Sequence, residues 1–129
     1  PLDGYCIMDP RKRIKFNEFQ EACKRTANPD LTYSQAALNW ALGIAGEAGE
    51  YCELIKKSEF HGKMLNKDHA KKELGDILYY VAMAATNLNI DLDSVAQANV
   101  DKLTARYPEG FKSGGGIRHV NNDHEDDGN

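Results

Sequence analysis

The sequence predicts an all-α fold, a four-helix bundle-like domain built around one long antiparallel helix pair. Three observations predict it. Apolar residues recur at threes and fours through four successive segments, which is the period of a helix. No stretch alternates apolar and polar residues in the manner of a half-buried strand. The links between the four segments are short, as suits antiparallel neighbours in a bundle. The chain has 129 residues, room for one domain of ordinary size. The helical domain is expected over residues 14–112, between an irregular lead-in (1–13) and a Gly-rich acidic tail (113–129).

The lead-in carries Gly4, Pro10 and the basic run Arg11, Lys12, Arg13, which reads as a solvated approach to the first helix. That helix runs from about Ile14 to Thr26, with Phe16, Phe19, Ala22 and Cys23 on its apolar side, and Asn28-Pro29-Asp30 ends it. The second spans about Ser34 to Lys57, rich in alanine and leucine, and finishes in lysines that suit a helix C-terminus. A loop with His61-Gly62 follows. The third is expected from Asp68, as N-cap, to Asn89, with Leu74, Ile77, Leu78, Val81, Ala85 and Leu88 as its core stripe. The fourth begins near Asp93 or Ser94, carries Val95, Ala98, Val100 and Leu103, and stops before Pro108. Beyond it, Gly114 to Gly116 and an acidic run bury too little apolar surface to offset their ordering entropy, so disorder is expected there.

The formal charge is −4, from 16 basic and 20 acidic side chains. From residue 113 onward there is one arginine against four acids, leaving 15 basic and 16 acidic residues in the body. This argues against binding long nucleic acids but leaves room for a single nucleotide. No run reaches the roughly 18 apolar residues of a membrane helix, and no signal-peptide pattern opens the chain. Cys6, Cys23 and Cys52 form no C-x-x-C pair, which suits a reducing cytoplasm rather than a disulfide framework or zinc finger.

Carboxylates stand where a bundle helix should be apolar. At about 100° per residue, Trp40, Gly43, Glu47, Glu50 and Leu54 share one stripe. Gly43, Gly46 and Gly49 each cost a helix interior about 1 kcal/mol relative to alanine, so something is expected to approach the backbone closely there. After 22 further residues come Glu73 and Asp76, again at i and i+3 beside an apolar stripe. Two antiparallel helices with these pairs facing inward bring four carboxylates together, an arrangement that mutual repulsion disfavours unless a cation relieves it. Oxygen ligands without His or Cys suit Mg²⁺, or Mn²⁺ in its place, rather than zinc. A di-iron bundle needs Glu-x-x-His pairs, and no glutamate here has a histidine three residues on. Glu53 and Glu59 read as solvated helix face, and His61 and His69 as loop and surface residues. Asn99, Lys102 and Arg106 share one face of the fourth helix, which matches a polyphosphate's need for cations beside a metal.

The ordered set Ala41-Leu42-Gly43-Ile44-Ala45-Gly46-Glu47-Ala48-Gly49-Glu50, then Glu73-x-x-Asp76, then Asn99-x-x-Lys102-Leu103-x-x-Arg106-Tyr107-Pro108-Glu109-Gly110-Phe111 resembles the MazG-like members of the all-α nucleoside triphosphate pyrophosphohydrolases. The first helix is similar to that of the short phage and bacterial type, and the resemblance covers about residues 16–112. It implies Mg²⁺-dependent hydrolysis of a nucleoside triphosphate to the monophosphate and pyrophosphate. It places the metal on Glu47, Glu50, Glu73 and Asp76, with Glu47 or Glu50 as the group that activates water. It places phosphates against Asn99, Lys102 and Arg106, and the nucleotide against Tyr80. Trp40 is a candidate to stack on a base, beside the plainer reading of a core tryptophan. Family members are generally dimers or dimers of dimers, so a homodimer or homotetramer is expected. A phosphoribosyl-ATP pyrophosphohydrolase and a non-catalytic, metal-dependent nucleotide-binding helical dimer stay open as alternatives.

Overall fold

The computed structural model describes residues 13–113, so the expectations for the N-terminal lead-in and the C-terminal tail lie almost wholly outside the described residues. Four α-helices follow one another: α1 (Phe16–Cys23), α2 (Tyr33–Phe60), α3 (Lys67–Asn87) and α4 (Leu92–Arg106). A 3₁₀ turn over Lys24–Thr26 finishes α1, and there is no strand among the described residues. No helix of the described residues is long and apolar enough to cross a membrane.

Local chemistry sets each helix start. Thr32 caps α2 reciprocally: its Oγ1 accepts from the Gln35 amide at 3.2 Å, and Gln35 Oε1 accepts from the Thr32 amide at 3.0 Å. The cap of α3 is Asn66 rather than Asp68, because Asn66 Oδ1 accepts from the amides of both Asp68 and His69 at 3.0 Å. Asp91 caps α4 by accepting from the Ser94 amide at 2.9 Å, so this helix starts at Leu92. That hydrogen bond is the main reason the Asp91 carboxyl is held below its ordinary range. Helix α3 stops two residues short of the expected Asn89, which adopts a left-handed backbone (φ 57°).

Helices α2 and α3 form the expected antiparallel pair and make the most extensive contact in the fold, while α1 crosses α3 and α4. The core is small: Cys23, Trp40, Ala82, Met83, Ala85 and Leu92, with Phe19, Tyr79 and Tyr80 packed on its edge. The face of α3 that it covers shares Ala85 and Val81 with the stripe read in the sequence and adds Ala82 and Met83. Leu74, Leu78 and Leu88, expected in that stripe, are exposed. Gln20, buried on α1, ties the turn between α3 and α4 in place. Its Nε2 donates to Thr86 Oγ1 at 3.1 Å and to the Ile90 carbonyl at 2.9 Å, and its Oε1 accepts from the Leu92 amide at 2.8 Å.

Candidate metal centre

The antiparallel packing of α2 on α3 brings the two acidic segments level with each other. Oxygens of Glu47 on α2 and of Glu73 and Asp76 on α3 all lie within 4.8 Å of one another. The Glu47 carboxyl is pushed up, first by burial and then by the charges of Asp76, Glu73 and Glu50. Three oxygen donors on two helices, with the like charges of the neighbours acting on Glu47, fit a hard divalent cation. Four carboxylates were expected together and three meet. Glu50, one turn beyond Glu47, is exposed and lies outside the group, though its charge still reaches Glu47.

The glycines divide. A Cβ on Gly43 would overlap the ring of Tyr80, whereas one on Gly46 or Gly49 would enter open space. Close approach therefore explains Gly43 alone within the described residues. Trp40 is a correction: at 5% exposure it packs in the core, 6.2 Å between ring centroids from both Tyr79 and Tyr80, and keeps no open face for a base. Tyr80 lies one turn after Asp76, half-buried, with its ring against Gly43. Asn99, Lys102 and Arg106 are exposed on α4 and make no hydrogen bond or ion pair among the described residues.

Outside the carboxylate group, Glu53 is engaged by Lys56 at 2.8 Å and Lys57 at 3.4 Å, and its carboxyl is lowered chiefly by the Lys56 hydrogen bond. It belongs to the helix surface, as its sequence reading had it. His69 does not stop there. Its Nε2 lies 2.7 Å from Oε1 of Glu73. The signal was present in the sequence as the i,i+4 spacing of His69 and Glu73 on one helix face.

Residues 35–111 match the family model of the MazG nucleotide pyrophosphohydrolase domain, which is more than half of the chain. The chain belongs to the MazG family. It is also 38% identical over 79 residues to the Gene 37 protein of Mycobacterium phage L5, a match covering 58% of this chain and 69% of that protein. No solved structure matches the chain. Each site residue named from the sequence, from Trp40 to Arg106, falls inside the MazG match, and so does His69.

Proposed function

We propose that this MazG-family chain hydrolyses a nucleoside or deoxynucleoside triphosphate to the monophosphate and pyrophosphate, in nucleotide-pool control or house-cleaning. The ion is Mg²⁺, replaceable by Mn²⁺, on Glu47, Glu73 and Asp76, with Glu50 beside them. The observation that carries the reading is the meeting of three carboxylate oxygens within 4.8 Å inside a MazG-matched hairpin. When bound, the ion neutralises phosphate oxygens and lowers the pKa of a water it holds.

The chain's own residues supply the remainder. Phosphoryl transfer asks chiefly for positioning and for neutralisation of charge. Glu50, exposed next to the group, is free to orient the attacking water or accept its proton. Lys102 and Arg106 offset the charge that develops on the phosphates, and Arg106 can hold two oxygens at once. Asn99 adds a neutral donor on the same helix face, and Tyr80 bounds the nucleotide side of the site. The protein acts in the cytoplasm, as a homodimer or homotetramer. Two uncovered apolar surfaces support the oligomer: the outer half of α4, and a groove of about 450 Å³ lined by Ile14, Phe16, Phe19 and Leu78.

The test is to incubate the protein with each of the eight common NTPs and dNTPs and Mg²⁺, and to assay pyrophosphate. Release from at least one, lost in Glu50→Gln with the helical content unchanged, is the expected result. No release from any of the eight, or undiminished release by Glu50→Gln, overturns the reading.

A further inference from the structure

We infer that His69 is a positioning residue of the carboxylate centre, holding one oxygen of Glu73 so that the carboxylate meets the ion in a single orientation. This rests on the metal-centre reading above and adds to it a residue outside the family's acidic pattern. His69 sits in the first turn of α3, four residues before Glu73 and therefore one turn away on the same face. Its Nε2 is 2.7 Å from Glu73 Oε1. The backbone beneath it is fixed, since the His69 amide donates to the N-cap Asn66 Oδ1 at 3.0 Å. The Glu73 side chain is 14% exposed while that of His69 is 55% exposed, so the contact joins a largely covered carboxylate to a solvent-facing ring.

The chemistry distinguishes positioning from ligation. A carboxylate has two oxygens, and an imidazole N–H that engages one leaves the other for a cation. Neither ring nitrogen of His69 joins the three-oxygen group of Glu47, Glu73 and Asp76. An imidazole N–H on one oxygen orients Glu73 and leaves its other oxygen to the ion. A lysine in its place would form a full ion pair and compete with the divalent ion. Outer partners of this kind fix the rotamer of a ligand before the ion arrives, and losing one typically weakens metal binding by about 10–100-fold.

The experiment titrates Mn²⁺ alone into the full chain and its variants, following free Mn²⁺ by electron paramagnetic resonance. His69→Ala should bind Mn²⁺ about 10-fold more weakly or worse, with its melting temperature in EDTA unchanged. His69→Gln, which retains an N–H donor, should recover most of that loss. With nucleotide present, His69→Ala should need a higher Mg²⁺ concentration than wild type to reach half its maximal rate. Wild-type Mn²⁺ affinity in His69→Ala overturns the inference, and so does a loss that His69→Gln does not restore. Asp76→Asn separates the two readings. If it abolishes Mn²⁺ binding while His69→Ala leaves it intact, the metal centre stands and only the role of His69 falls. If the wild-type chain itself binds no Mn²⁺, both fall.

Discussion

Gly43 shows how one atom couples the helix pair to the site. Tyr80 occupies the space that any side chain there would need, and its ring is held from behind by Tyr79, with centroids 5.1 Å apart. Gly43→Ala should therefore destabilise the fold by about 1–3 kcal/mol through overpacking, outweighing the helix propensity it gains. Gly46→Ala and Gly49→Ala meet open space in the chain and should instead stabilise it by up to about 1 kcal/mol each. Urea unfolding of the three variants checks the contrast. Glu47 gives a second prediction at this scale. Its folded-state pKa is raised, by burial and then by Asp76, Glu73 and Glu50, so the folded chain holds this proton more tightly than the unfolded chain. In EDTA, ionising Glu47 therefore lowers stability as pH rises from the ordinary glutamate pKa through the raised one. Urea unfolding across that window should show wild-type protein losing stability relative to Glu47→Gln, and saturating Mg²⁺ should remove the slope. The three acids that meet were legible because each belongs to an acidic i,i+3 pair standing out against an apolar stripe. For His69 the sequence held only the i,i+4 spacing to Glu73, which a surface histidine near a helix start shares.

At the scale of elements, spacing located four helices and, on α3, only part of the covered side. On α3 the periodicity picks Ala85 and Val81, which are covered, and Leu74 and Leu78, which are exposed, and it passes over the buried Ala82 and Met83. The difference comes from tertiary contacts that spacing does not encode, such as Gln20 of α1 donating to Thr86 Oγ1 and to the Ile90 carbonyl. Caps were misjudged for a similar reason. Asp68 has the residue type of a cap, yet Asn66 stands two residues earlier and takes the two free amides. Asn66→Ala should cost about 1 kcal/mol in thermal or urea unfolding, clearly more than Asp68→Ala. Because the same cap fixes the His69 backbone, Asn66→Ala should also weaken Mn²⁺ binding, measured by the titration above, while Asp68→Ala should not.

At the scale of the whole molecule, α4 is the element that one copy of the chain does not account for. It has 15 residues, a length at which an isolated helix is marginal in water. Its apolar stripe begins inside the fold with Leu92, 3% exposed, and runs outward to Val100 and Leu103, 54% and 43% exposed. Asn99, Lys102 and Arg106 lie beside that stripe, so whatever covers it also decides where these proposed phosphate contacts stand. On the proposed oligomer, a second copy covers it, and burying Val100, Leu103 and Tyr107 stabilises both the helix and the assembly. Leu103→Asp places a charge in the middle of that contact. Light scattering should then show wild-type protein at twice 14.4 kDa or more, and the variant as a monomer of 14.4 kDa with reduced helical content. Mn²⁺ affinity should be unchanged, because the carboxylates sit on α2 and α3. Pyrophosphate release should fall, because Lys102 and Arg106 lose their fixed place. A wild-type chain that runs as a monomer, or a Leu103→Asp variant that remains assembled, would put the cover of α4 elsewhere.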